Sequence, residues 1–391
     1  MIKTYKVKLK PNNKQQTKMF QFCGAKRFAY NWAIAKEKEN YFNGGKFVSD
    51  SILRKEFTQL KKTEEYKWLY SISNNVTKQA IKDACVSYKR FFQGYSKAPK
   101  FKSKRTDRPS FYVDNIKIKF TNDKVKLENI AISKKKNKAK LNWIRLAEKN
   151  KIPINCKYIN PHVVYNGIDW FICVGIEMED NKVLPANDGI GIDLGVKDLA
   201  ICSDGNTYKN INKTQKIKKL EKQLKREQKR LSRKYESFKL KNKNKKGEAT
   251  RQNIQKQIVK VQKLHQRLSN KRTDYINKIV NEIVKTKPSH ITIEDLNISG
   301  MMKNSHLSKA ISQQKFYEFR TKLKYKCELF GIELRIVDRY YPSSKLCHNC
   351  GQIKKDLKLS DRIYKCDCGY EEDRDYNASL NLRDAKKYKI A

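Results

Sequence analysis

The chain has 391 residues, of which 88 are Lys or Arg and 40 are Asp or Glu, giving a formal charge of +48. Self-repulsion of that size is relieved by a polyanion, so nucleic acid is the expected partner. Because basic residues run from Lys3 to Lys389, the polymer is expected to be long and wrapped or channelled. No run of about 18 apolar residues occurs and the first residues lack a signal-peptide stretch, which argues against a membrane-spanning helix and predicts a cytoplasmic chain of two or three domains.

In chain order, residues 2–10 alternate apolar and basic side chains (Ile2, Tyr5, Val7, Leu9) and stop at Pro11, which predicts a strand. Residues 14–92 switch to helical spacing, first through Phe20, Cys23, Phe28, Ala29 and Trp32, then through Ile81, Ala84, Cys85, Tyr88, Phe91 and Phe92. They read as a helical insert over residues 13–114. Asn75, Thr77, Lys78 and Gln79 are expected on the exposed side of the helix that carries Ile81 and Ala84. Residues 95–105, with Lys100, Phe101 and Lys102, have almost no apolar periodicity and suit a loop along a phosphate backbone; a plain solvated linker is the alternative. Residues 116–120, 125–132, 155–160, 163–166 and 170–177 are short alternating runs broken by Asn, Gly and Pro. With the first strand they predict a small β-barrel over 1–12 and 115–182.

At Gly189 the pattern changes. Residues 189–195 form a short apolar run ending in a carboxylate, Asp193, between glycines, and residues 199–203, the Asp204-Gly205 turn and Thr207-Tyr208 complete a predicted three-stranded meander. A long basic helix follows through Ile217, Leu220, Leu224 and Leu231. After a Lys/Asn-rich break at 239–247, a second helix runs from Ile254 to Val284. The two are expected to pack as an antiparallel hairpin, either gripping a ligand or standing as a charged coiled hairpin without one, with Arg272 and Asp274 paired where it rejoins the core. Pro288 opens a second apolar strand that ends in acid, Glu294-Asp295; residues 304–314 read as a loop or lid, 316–330 as a helix and 331–337 as a strand. Meander, helix, strand, helix, strand, helix is the order of an RNase H-like domain, here over 183–391, so the fold class is multidomain α+β.

Of ten cysteines, Cys23, Cys85, Cys156, Cys173, Cys202 and Cys327 are scattered among apolar neighbours and read as reduced core thiols. Cys347-x-x-Cys350 and Cys366-x-Cys368-Gly369 are two tight pairs across a short polar loop, the ligand count of one closed structural Zn²⁺ site within an insert at 343–370. The second spacer is one residue shorter than usual, and His348 inside the first knuckle is surplus to four thiols.

Asp193 and Glu294 end buried-looking strands, and Asp375 precedes the helical pattern Ala378-Leu380-Leu382. Carboxylates in such places are costly to bury alone and favourable around a divalent cation; oxygen donors favour Mg²⁺ or Mn²⁺, and two ions about 3.5–4 Å apart would activate water and steady a leaving 3′ oxygen. Any one of these acids is as readily a cap or turn former. Asp373 competes with Asp375, Asp295 is placed to support Glu294, and Asn377 is expected to orient Asp375 or contact substrate.

Together these segments resemble the TnpB proteins, the OrfB-type products of bacterial insertion sequences, and more distantly the compact type V CRISPR effectors. The carrying residues are Gly191-Ile192-Asp193-Leu194-Gly195, Ile293-Glu294-Asp295-Leu296, Arg339 to Lys345 with Cys347-x-x-Cys350-Gly351, and Cys368-Gly369 through Asp373-Arg374-Asp375-Tyr376-Asn377-Ala378. Arg27-Phe28-Ala29-Tyr30-Asn31-Trp32 and Pro99-Lys100-Phe101-Lys102 add weaker likeness. The resemblance implies a WED-like barrel, a REC-like insert and a RuvC nuclease domain with Asp193, Glu294 and Asp375 as its metal-binding catalytic acids. It implies one protein per guide RNA, the RNA drawn from the transposon end, and a double-stranded DNA target beside a short motif read around Asn75, Thr77, Lys78 and Gln79. The setting it implies is the bacterial cytoplasm, at the nucleoid when DNA is bound. An RNA-guided repressor with little or no cleavage is disfavoured because all three acids are present. An accessory protein that joins strands in transposition is disfavoured because the five histidines are isolated.

Overall fold

In a computed structural model the described residues are 2–128, 142–179, 185–243, 251–358 and 361–391. They fall into two compact units, Met1–Glu179 and Asp180–Ala391. No helix among them is long and apolar enough to cross a membrane. Of the strand expected over 125–132 and the break over 239–247, residues 129–132 and 244–247 lie outside the described residues.

The first unit opens with β1 (Ile2–Lys10), which Pro11 ends by removing a ladder donor. Asn12 then caps α1 (Asn13–Phe42): its Oδ1 accepts from the Gln15 amide at 2.8 Å and Gln15 Oε1 accepts from the Asn12 amide at 3.0 Å, a reciprocal capping box. Helices α2 (Asp50–Leu60) and α3 (Asn74–Phe92) follow, with a 3₁₀ turn at Glu64–Ser71. Residues 95–105 form no regular element. Six further strands are β2 (Ser110–Tyr112), β3 (Lys119–Phe120), β4 (Lys124–Lys126), β5 (Trp143–Leu146), β6 (Tyr158–Tyr165) and β7 (Trp170–Glu177). Their order is β2-β6-β7-β1-β5-β4-β3. The hydrogen-bonded order has two ends, so among the described residues strand pairing does not close the small barrel expected. The two runs expected at 155–160 and 163–166 are one strand, β6, with a register shift between Ile159 and His162. Asn160 (φ 49°) and Pro161 lie at that shift, where a bulge accommodates a residue that cannot donate to the ladder.

The second unit holds the meander β8 (Ile190–Asp193), β9 (Asp198–Cys202) and β10 (Thr207–Lys209), turned at Gly205 with φ 87°. Helices α4 (Gln215–Lys243) and α5 (Gln252–Lys285) form the antiparallel hairpin, with buried Gln257 donating to the Glu227 carbonyl at 3.1 Å and its Oε2 at 2.7 Å. Then come β11 (His290–Glu294), α6 (Ile298–Met301), α7 (Ser305–Gln314), α8 (Phe316–Phe330), β12 (Glu333–Val337), β13 (Ile363–Lys365), β14 (Glu371–Asp373), α9 (Arg374–Arg383) and β15 (Lys389–Ile390). The segment read as a loop or lid at 304–314 is the helix α7, begun by Asn304, whose Oδ1 accepts from the His306 amide at 3.0 Å. The large sheet runs β10-β9-β8-β11-β12-β15, antiparallel through the meander, parallel across β8, β11 and β12, then antiparallel to β15. Arg272 and Asp274 do not pair with each other. Arg272 donates to Glu221 and Asn212 at 2.8 and 2.7 Å, and Asp274 pairs with Lys278 at 2.9 Å.

Candidate active site and cysteine knuckle

Strand register creates the first site. In the parallel pair β8 and β11, Ile192 stands opposite Ile293, so the next residue of each strand, Asp193 and Glu294, arrives at the same edge of the sheet. Helix α9 packs on β8 because residue 191 is glycine: a Cβ there would lie 1.9 Å from Ser379 O and 2.4 Å from Arg383 N. That close seat brings the first turn of α9 to the acids, and the charges of Glu294 and Asp375 both bear on Asp193. Asp193 keeps partial access to solvent, but protein crowds its carboxyl. Burial first, then the two neighbouring carboxylates, push its pKa up to about 8. Glu294 is raised as well, chiefly by burial, against a hydrogen bond that its Oε1 accepts from Ser343 Oγ.

Asp373 has a different task. Its Oδ1 accepts from the amides of Asp375 and Tyr376, both at 3.0 Å, so it is the cap of α9 and exposed. Asp295 is engaged away from Glu294, pairing with Arg320 at 2.7 Å and Arg339 at 3.6 Å. Asp375 accepts from Arg374 at 2.7 Å and lies 3.7 Å from Arg362, two partners the sequence did not single out for it. The three carboxylates do not close to the spacing of an assembled ligand cluster. Three acids, two with raised pKa values, nonetheless form a donor set whose repulsion and desolvation a hard divalent cation relieves, so Mg²⁺ or Mn²⁺ fits these residues.

The second site is assembled. The Sγ atoms of Cys347, Cys350, Cys366 and Cys368 all lie within 4.8 Å of one another, with 3.7 Å between Cys347 and Cys368 and 3.6 Å between Cys350 and Cys366. A tetrahedron of sulfurs around zinc at ~2.3 Å has edges of about 3.8 Å, so the thiols are spaced for that ion. Each thiol also accepts a backbone N–H from two residues on: Asn349, Gln352, Cys368 and Tyr370 in turn. The Tyr370 amide pulls the Cys368 thiol down to about 6. The tight second pair still turns because Gly369 takes φ 86°, as Gly351 takes φ 75° after the first. His348 faces Asp384 at 3.8 Å and is not among the thiols.

The residues expected to touch nucleic acid divide sharply. Asn377 is 0% exposed; its Nδ2 donates to Leu346 O at 2.8 Å and its Oδ1 accepts from the His348 amide at 3.2 Å, so it holds the first knuckle and is closed to substrate. Thr77, 2% exposed, donates to Asn74 O at 3.1 Å and faces the core. Lys102 is half-buried with its Nζ 3.7 Å above the Tyr30 ring, and burial lowers its pKa. Lys78 and Lys100 are exposed, and Asn75 is half-buried. Gln79 is half-buried too and donates to Asp83 at 2.8 Å. A groove of about 910 Å³ in the second unit, which no motif announced, carries Lys218, Lys222 and Lys225 of α4 opposite Lys309 of α7. Among the described residues none of these four lysines is in an ion pair. The spacing of four and three on a helix was the available signal.

The relatives fit this geometry. A protein of Escherichia coli (strain K12) named RNA-guided DNA endonuclease InsQ is 30% identical over 398 residues, covering 97% of this chain and 91% of its own. The chain belongs to the TnpB (OrfB) family. A Streptomyces pristinaespiralis protein, also named an RNA-guided DNA endonuclease, is 28% identical over 97% of this chain and 88% of its own. The OrfB family described as "Probable transposase" matches residues 171–305, which carry Asp193 and Glu294; the "Cas12f1-like, TNB domain" family matches 316–382, with the cysteines and Asp375. The OrfB "Helix-turn-helix domain" matches residues 1–46, which here are a strand and one continuous helix. The solved Cas12f1–sgRNA–target DNA complex shares the fold, with a TM-score of 0.61 at 16% identity over 96% of this chain and 83% of that one.

Proposed function

We propose that this TnpB-family chain is an RNA-guided DNA endonuclease whose nuclease site is the edge formed by Asp193, Glu294 and Asp375. The observation that carries the reading is the parallel register that sets Asp193 beside Glu294 while Gly191 admits the helix bearing Asp375. The same three residues would hold Mg²⁺ or Mn²⁺, which when bound supplies an activated water and charge stabilisation for phosphodiester hydrolysis. Arg374 and Arg362 balance the charge of Asp375, and Ser343 fixes one oxygen of Glu294. The four-cysteine knuckle holds one Zn²⁺. The second unit is read as a RuvC-type, RNase H-like domain. In the first, the sheet and the helices correspond to the WED-like and REC-like parts that hold guide RNA and the motif-bearing duplex, through exposed groups such as Lys78 and Lys100.

The lysine groove is assigned to one strand of the DNA. Lys218 to Lys225 spans about 10 Å of helix axis, a length over which three long lysine side chains can reach neighbouring phosphates of one strand. On the opposite wall α7 is tied beside the acids, where Gln314 donates to the carbonyl of Gly195 at 3.0 Å. Replacing all three lysines with Gln is expected to lower the salt dependence of DNA binding by ~2 to 3 in log–log slope, and a triple Lys219, Arg226 and Arg233 to Gln control on the same helix much less. Equal slopes for the two variants would remove the groove assignment.

The decisive experiment is to purify the chain with its native flanking DNA, sequence the bound RNA, and challenge the complex in Mg²⁺ with plasmids bearing randomised flanks. Cleavage only at guide-matched sites beside one short motif supports the reading; bound RNA without cutting supports a guided repressor. Asp193→Ala is expected to reduce cleavage by at least ~1,000-fold, about 4 kcal/mol of barrier, with RNA binding intact.

A further inference from the structure

The segment that leads from β12 into the first knuckle is held from two sides. Ser343 is 4% exposed and its hydroxyl donates to Glu294 Oε1; that bond is the one hydrogen bond to the Glu294 carboxylate among the described residues. The Ser343 carbonyl in turn accepts from Asn381 Nδ2 at 2.8 Å, and the same nitrogen reaches Leu346 O at 2.7 Å. One turn earlier on α9, Asn377 donates to Leu346 O and accepts from the His348 amide, bracketing Cys347.

Two buried asparagines at positions i and i+4 of a helix are an unusual choice. Asn favours caps and turns over helix interiors, and a buried amide is costly unless fully bonded. Here both are bonded, and to the backbone of a single loop. An apolar residue at either place would strip partners from buried carbonyls of that loop. The helix that delivers Asp375 is thereby tied to the loop that delivers Ser343 and Cys347.

We propose that Ser343 is a positioning residue for Glu294, and that Asn381 and Asn377 make the cysteine knuckle part of the same device, so that the loop fixed by the knuckle fixes the Glu294 carboxylate. Knuckle occupancy and divalent-cation affinity at the acid edge are therefore coupled. The inference rests on reading that edge as a divalent-metal site.

The test is Mn²⁺ titration of the zinc-loaded full chain followed by electron paramagnetic resonance, with Asp193→Asn defining ions bound elsewhere. Ser343→Ala is expected to weaken acid-edge Mn²⁺ binding about 10-fold, the lower end of what loss of an outer partner of a metal ligand costs. Ser343→Thr should restore it, while zinc content and Tm stay unchanged. Asn381→Asp, which keeps the shape but loses the donor, should weaken Mn²⁺ binding comparably. The double variant should be no weaker than either single one, as two members of one path require. Undiminished Mn²⁺ affinity in zinc-loaded Ser343→Ala overturns the positioning role, and fully additive effects overturn the link through Asn381. If the wild-type chain binds Mn²⁺ no better than Asp193→Asn, the metal-site reading itself has failed and the inference falls with it; that result is distinct from wild type and Ser343→Ala binding equally well.

Discussion

The knuckle and the acid edge lie in the same unit, yet only the knuckle has its donors gathered before an ion arrives. At the knuckle, backbone N–H groups converge on sulfur and draw the Cys368 thiol down to about 6, while the Cys347, Cys350 and Cys366 thiols stand above their ordinary value. At the edge, burial and two neighbouring carboxylates hold Asp193 near 8, so it is largely protonated where a free Asp would be charged. The first set of donors is at ligating distance and the second is not. A structural site is built by local backbone turns that precede the ion; a reactive site is built from residues far apart in sequence, whose repulsion is left for the occupant to relieve.

The largest effect should come from breaking the assembled site. Cys347→Ser with Cys366→Ser is expected to reduce zinc from one per chain to none and to abolish cleavage, since structural zinc contributes ~10–16 kcal/mol in small zinc domains. Elemental analysis and a cleavage assay check it, and full zinc in the double variant would end the comparison. Gly191→Ala acts first on the acid edge: the new Cβ pushes α9 off β8 and displaces Asp375 together with the loop that Asn377 and Asn381 hold, while the four thiol turns, closed by their own backbone amides, keep their ligand spacing. We expect a stability loss of ~1–3 kcal/mol or more in denaturant titration, lost cleavage and unchanged zinc. Cleavage at wild-type rate would show that the close seat of α9 is dispensable.

The smallest effect concerns the protonation of the acid edge. Asp193 has a folded pKa of about 8 against an unfolded value of 3.8, so its neutral form stabilises the fold fully below about pH 4, and that contribution is lost as pH rises through 8. Glu294 acts with the same sign. The zinc-loaded chain without Mg²⁺ should show a Tm that declines over this window, more steeply than in Asp193→Asn, and added Mn²⁺ should raise Tm more at pH 8 than at pH 6. Identical pH profiles for the two proteins would refute the raised pKa of Asp193.

Legibility differed along the chain for physical reasons. Strands β1 and β7 were bounded correctly because each is long enough for its alternation to show, and each helix of the hairpin repeats its apolar stripe over many turns. β2 and β5, with three and four residues, carry too little periodicity and exist through their pairing with β6 and β1. Asn377 was expected to orient Asp375 or contact substrate because it lies on the helix that this acid directly precedes. Burial reversed that, since the polar groups it meets belong to a loop brought in from thirty residues upstream.

By itself the sequence determined the polyanionic class of partner, the order of meander, helices and strands in the second unit, the four thiols and the three candidate acids, because periodicity, charge and short ligand spacing are local properties. The tertiary structure decided that strand pairing among the described residues does not close the first sheet, that Asp373 is a cap while the charge of Asp375 reaches Asp193, that Thr77 and Asn377 are closed to solvent, and that Ser343 holds Glu294. Each of these depends on which distant segment packs against the residue, and contacts of that kind leave no period in the chain.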